Sequence, residues 1–86
     1  MKINERFNIF DLKGRLIAYL RMIDNDRFEI YKPDGTHIQT GSLTEVERFN
    51  VYDLSGSLVA HGTLSAHTSF DIYDLKGNHI SYGKPA

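Results

Sequence analysis

Residues 70–83 read FDIYDLKGNHISYG. The same phrase stands at 7–20 as FNIFDLKGRLIAYL, at 28–41 as FEIYKPDGTHIQTG and at 49–62 as FNVYDLSGSLVAHG. Each copy follows the last by 21 residues, without a gap. Phe7, Phe28, Phe49 and Phe70 keep that step, as do Ile9, Ile30, Val51 and Ile72. So do Phe10, Tyr31, Tyr52 and Tyr73, the glycines at 14, 35, 56 and 77, and Ile17, Ile38, Val59 and Ile80. A fixed internal period marks an array whose units are too small to bury an apolar face alone.

Each copy reads as a β-hairpin. The Phe-x-Ile/Val pair alternates with Asn8, Glu29, Asn50 and Asp71, the period-two pattern of a half-buried strand. Aromatic and β-branched residues suit that pleated surface. Between the two strands of a copy lies DLKG, KPDG, DLSG or DLKG. Pro33 supplies the φ required at the second position of a type I turn. The glycine that ends each turn takes a left-handed conformation at no steric cost, as a three-residue loop with a bulge demands. Asp11, Asp53 and Asp74 head three of the turns, where a short acid bonds the backbone two residues on. The connections RMIDND, SLTEVE and TLSAHT are short and polar, and no segment holds a 3.6-residue period long enough for a helix.

A lone hairpin is marginal in water, whereas four with the same face turned inward share one core. The expectation is a single all-β domain over 1–86, with four 21-residue repeats near 6–26, 27–47, 48–68 and 69–86. They are expected to surround a pseudo-four-fold axis, flower- or propeller-like, with one eight-stranded up-and-down barrel as the alternative. The expected core takes Phe, the first Ile/Val and the second Ile/Val (Ile17, Ile38, Val59, Ile80) from each copy. Met22 recurs as Leu43 and Leu64, then as Pro85, which has no N–H to give a ladder; one step back lies Met1. Residues 1–5 are therefore expected to complete the last repeat and close the ring. A doubled period runs beneath the first: Leu16 and Leu58 alternate with His37 and His79, and Ala18 and Ala60 with Gln39 and Ser81.

Composition narrows the function classes. The chain has 86 residues, 41% hydrophobic and 24% charged, a formal net charge of −1 and no cysteine. Disulfides and thiolate metal sites are excluded, and a reducing, cytoplasmic setting is expected. The start MKINERFNIF holds no apolar core of a signal peptide, and no run approaches the roughly 20 apolar residues of a spanning helix. No membrane association is expected. A near-neutral charge provides no field to hold a polyanion, so no nucleic-acid partner is expected either.

The pattern Phe-x-Ile-Tyr-Asp-Leu-x-Gly-x-x-Ile-x-x-Gly, as in FDIYDLKGNHISYG, resembles the small bacterial four-fold beta-flower proteins over essentially the whole chain. That resemblance implies four hairpins set like petals around an axis, and it brings no activity, cofactor or catalytic residue. Leu20 departs from it, where the other copies have Gly41, Gly62 and Gly83. A close backbone approach in three petals is expected to be absent from the first.

Three groups of side chains are candidates for binding. His37 and His79 sit at equivalent places in alternate copies; turned to the axis they would share an ion, turned outward they flank buried isoleucines at the surface. Without carboxylate neighbours they make a thin metal site. His61 and His67 break the repeat and are expected at the surface. Arg6, Arg27 and Arg48, each after an acid (Glu5, Asp26, Glu47), would form a phosphate-binding rim or pair with acids of neighbouring copies; the fourth copy has Thr68 and Ser69 instead. Tyr31, Tyr52 and Tyr73, with Phe10, fall on the strand face opposite the core, as an aromatic band for a sugar or partner or as a second small core.

No nucleophile–base pattern, metal-ligand spacing or phosphate loop is present, so no enzyme and no cofactor is expected. Two functions fit these readings. The first is a non-enzymatic module for protein–protein contact or self-association. The other is a binder of a small ligand, a sugar or an anion, at the axis or in grooves between hairpins.

Overall fold

The computed structural model describes residues 5–45, 47–65 and 69–86. They form eight strands: β1 Arg6–Asp11, β2 Leu16–Met22, β3 Arg27–Tyr31, β4 His37–Glu45, β5 Arg48–Asp53, β6 Leu58–Ser65, β7 Ser69–Asp74 and β8 His79–Pro85. Every neighbouring pair is antiparallel, and β8 returns to β1, giving a closed barrel in simple chain order. No helix occurs among the described residues. The sheet is continuous from one hairpin to the next, so there are no separate propeller blades.

Local chemistry builds the turns as the sequence indicates. The N–H groups of Lys13 and Arg15 both donate to Asp11 Oδ1 at 2.9 Å, and the Gly14 N–H donates to the Asp11 carbonyl at 2.9 Å. Asp53 and Asp74 accept from the N–H groups two and four residues on in the same way. In the second turn the acid moves to Asp34, which accepts from Thr36, because Pro33 follows Lys32 there. The four turn glycines have φ between 85° and 94°, which only glycine adopts cheaply.

Closure uses the β1–β8 seam, in which Phe7 faces Pro85, Ile9 faces Gly83 and Phe10 faces Tyr82. The same offsets join β2 to β3 as Phe28–Met22, β4 to β5 as Phe49–Leu43 and β6 to β7 as Phe70–Leu64. At the seam's end the Ala86 N–H donates to the Arg6 carbonyl at 3.0 Å, as the Ile23 N–H donates to Arg27. Of residues 1–5, expected to complete the ring, only Glu5 is described: its carbonyl accepts the Met22 N–H at 2.9 Å, as Asp26 accepts Leu43 and Glu47 accepts Leu64.

The core holds Phe7, Phe28, Phe49 and Phe70 at mid-height, with Ile9, Ile30, Val51 and Ile72 in the next layer towards the turns. Edge-to-face contacts at 5.5–5.6 Å link Phe28 to Phe49, Phe49 to Phe70 and Phe70 to Phe7. Each of Phe28, Phe49 and Phe70 lies against a glycine: a Cβ at Gly41, Gly62 or Gly83 would come within 2.0–2.2 Å of the facing ring. Phe7 instead faces Leu20, fully buried, and Leu20 fills the place where the fourth ring contact would fall. The expected departure of the first copy is therefore a side chain replacing a ring-on-backbone approach.

The second Ile/Val, expected in the core, lies only at its margin: Ile38 and Val59 pack against the core, and Ile17, Ile38 and Ile80 line the space on the axis above it. Ile17 and Ile80 are 44% and 43% exposed, and Ile38 and Val59 are only partly buried. The reason is a register shift in each hairpin: Ile9 faces Ala18 but Phe10 faces Leu16, leaving Ile17 as an extra residue, and corresponding shifts occur in the other three. Such a bulge turns the rest of the strand over by one residue. Ala18, Leu20 and Met22 consequently point inward on β2.

Candidate functional site

Strand alternation sends Tyr31, Tyr52 and Tyr73 to the outside of the barrel, each half-buried. Two of them are brought together with the histidines. Tyr31 faces His37 across β3–β4 and their rings lie 5.1 Å apart; Tyr73 faces His79 across β7–β8 at 5.2 Å. Tyr31 also stacks on Tyr19 at 5.2 Å, and Tyr73 on His61 at 6.0 Å. Tyr52 has no such neighbour among the described residues and accepts a hydrogen bond from Asn50 Nδ2 at 3.4 Å.

The histidines have the carboxylate neighbours that the sequence reading denied them. His79 Nε2 lies 3.1 Å from Asp71 Oδ1, and His37 Nε2 lies 3.9 Å from Glu29 Oε2 and 2.8 Å from the Gln39 carbonyl. Glu29 also accepts from the Tyr31 hydroxyl and lies 3.9 Å from Arg21. That hydrogen bond to a carboxylate, aided by partial burial, raises the Tyr31 hydroxyl above its usual value of 10.0. His37 and His79 do not meet: they sit outward on β4 and β8, which lie opposite each other in the barrel. No group of three or more metal-ligating side chains forms among the described residues.

The arginines do not converge either. Arg6, Arg27 and Arg48 stand exposed on β1, β3 and β5, Arg27 two interstrand spacings (about 9–10 Å) from each of the others, and Arg6 and Arg48 four strands apart. Arg27 pairs with Asp24 of its own approach loop at 3.4 Å, and Arg6 lies 4.7 Å over the Tyr19 ring. Asp24 belongs to the preceding repeat, so Arg27 makes the expected pairing with an acid of a neighbouring copy, whereas Arg6 makes its contact within its own copy. His61 is half-buried against Tyr73, and His67 lies outside the described residues.

Two features of the turn end carry more. Leu12, Leu54 and Leu75, at the turn tips, are 57%, 60% and 56% exposed. With Ile17 and Ile80 beside them, and Leu16 and Leu58 on the outer wall opposite Phe10 and Tyr52, they make seven of the eight large apolar side chains exposed among the described residues; Ile23 alone lies at the other end. Ile17 and Ile80 of this crown also line a cavity of about 210 Å³. The odd strands line it with Ile9, Ile30, Val51 and Ile72, and the even strands with Ala18, Gln39, Ala60 and Ser81 and, nearer the turns, Ile17, Ile38 and Ile80. Since all eight strands contribute, the cavity lies on the barrel axis.

Comparisons with protein-family models, with curated proteins and with solved structures return no match. The site is argued from its own residues. An eight-stranded barrel has room for little more than its own side chains. The space exists because the even strands present small residues at this level, two alanines and a serine. The sequence signals were visible as the alternation of Ala18 and Ala60 with Gln39 and Ser81. They acquire meaning only once the register shift turns these positions inward.

Proposed function

We propose that this protein is a non-enzymatic interaction module that self-associates through the apolar crown at its turn end. The observation that carries the reading is the concentration of exposed leucine and isoleucine on that one face. Exposed apolar side chains gathered at one end mark a contact site. The rim carries both signs, with Lys13, Arg15, Lys32 and Lys76 beside Asp11, Asp34, Asp53 and Asp74. An alternating rim suits a second copy turned through a two-fold axis, and a net charge of −1 puts little repulsion between copies. The turn-head carboxylates are occupied by their own backbone N–H groups, which supports a structural rather than catalytic role for them.

Sedimentation equilibrium tests this. The protein is expected to dimerise with rising concentration, and the triple variant Leu12→Ser, Leu54→Ser, Leu75→Ser to stay monomeric with an unchanged melting temperature. A wild-type monomer at every concentration would reject self-association.

The architecture behind this reading is, in our proposal, a pseudo-four-fold array of equivalent hairpins, as in the beta-flower proteins that the repeat resembles. The recurrence of one set of partner offsets around the barrel supports it. Outward-facing Arg21, Glu29, Asn50, Asp71 and Lys84 interrupt any apolar band, which supports a water-facing wall and the cytoplasmic expectation. No helix among the described residues is long and apolar enough to cross a membrane.

A further inference from the structure

The axial cavity has a chemistry of its own, which goes beyond self-association. No titratable side chain among the described residues lines it, so an ion placed there would lose its hydration without a counter-charge. A sugar or an anion, the ligands expected from sequence, fits this lining poorly. The walls are aliphatic, apart from Gln39 on β4 and Ser81 on β8, which face one another across the axis. Ser81 is the one buried polar side chain among the described residues, 5% exposed, and its hydroxyl has no hydrogen-bond partner there. No fully enclosed side-chain polar atom is left unpaired among those residues. The Ser81 hydroxyl is therefore reached from the cavity it lines. Buried polar groups are ordinarily satisfied, and an inward hydroxyl without a protein partner calls for one from outside the chain. Size sets the rest: an apolar cavity of about 150 Å³ stays dry and takes benzene. This one, at about 210 Å³, is somewhat larger.

We infer that the turn-end mouth of the barrel binds a compact, uncharged, mainly apolar molecule of roughly seven to ten non-hydrogen atoms, such as a phenol or short alcohol, with its one polar group hydrogen-bonded to Ser81. Ile9, Ile30, Val51 and Ile72 form the floor, and Ile17, Ile38 and Ile80 border the way in.

The matched probes toluene, p-cresol and p-toluate test the size, the polar group and the charge separately. Titration into the full chain is followed by the methyl resonances of the isoleucines and Val51, with sedimentation of the same samples reporting the oligomeric state independently. Saturable shifts at Ile9, Ile30, Val51 and Ile72 are expected with toluene and p-cresol, and none with p-toluate. Ser81→Ala is expected to weaken p-cresol about fivefold, one neutral hydrogen bond's worth, and to leave toluene unchanged. Ala60→Leu fills the cavity and is expected to abolish both. The inference is overturned by the absence of saturable shifts with toluene and p-cresol, by equal binding of p-toluate, or by p-cresol affinity untouched in Ser81→Ala. Should Ala60→Leu fail to fold, the Ser81→Ala comparison decides.

Discussion

At the scale of single residues, the same barrel position asks for opposite side chains in different copies. Gly62 lies under the Phe49 ring, and a Cβ there would sit 2.1 Å from the ring and 2.5 Å from the Asp71 carbonyl, a backbone atom that does not swing aside. Gly62→Ala is expected to cost about 1–3 kcal/mol, as overpacking does. Leu20, at the corresponding place in the first copy, is buried against the core, and Leu20→Ala is expected to cost about 2–5 kcal/mol. Urea denaturation measures both; a neutral Gly62→Ala would refute the ring-on-backbone contact. The turn acids set the pH response. The Arg15 N–H is the main influence lowering Asp11, the Ser55 hydroxyl lowers Asp53 and the Asn78 N–H lowers Asp74, all from the usual 3.8. A folded-state value below the unfolded one gives stability that is full above 3.8 and is lost as pH falls through the lowered values. Denaturation midpoints are expected to drop below about pH 4, and the triple variant Asp11→Asn, Asp53→Asn, Asp74→Asn to flatten that drop.

Among the elements, the hairpins were legible and their second strands were not. The Phe-x-Ile alternation and the Gly-ended turns place β1, β3, β5 and β7 where the structure has them. The extra residue at Ile17 and its counterparts reverses which side chains of the following strand face inward. Alternation within one strand does not reveal that reversal, because it comes from pairing with another strand. The seam between β8 and β1 has the same offsets as the joints between the other hairpins. A circular permutant that links Ala86 to Glu5 by a short Gly-rich linker and opens the chain before Asn25 should therefore fold, melting within a few degrees of the parent. A permutant without a cooperative transition by circular dichroism would show that the hairpins are not interchangeable.

For the whole molecule, the crown and the cavity follow from closure. Antiparallel strands in chain order put all four turns at one end, so turn leucines that are scattered in sequence become one surface. Because that surface is apolar, association through it is expected to survive salt: the dimer constant should change little between low salt and about 1 M, where charge interactions are screened beyond about 3 Å. A steep loss of association with salt would assign it to the charged rim or to the outer Tyr–His–carboxylate clusters instead. Those clusters show the limit of reading sites from sequence. Tyr31 and His37 were both singled out, yet Glu29 beside them was missed, since its reach to Tyr31 and His37 depends on which residues face each other across β3 and β4.

The 21-residue period by itself determined that the chain is all-β, that its unit is a hairpin and that the four phenylalanines share one core, because alternation and turn chemistry act over a few neighbouring residues. Only the closed structure decided which face of each second strand is inside and that a cavity opens on the axis beneath an apolar crown. Those outcomes depend on register between strands and on how the side chains of eight strands fill a cylinder, and both are settled by contacts between residues distant in the chain.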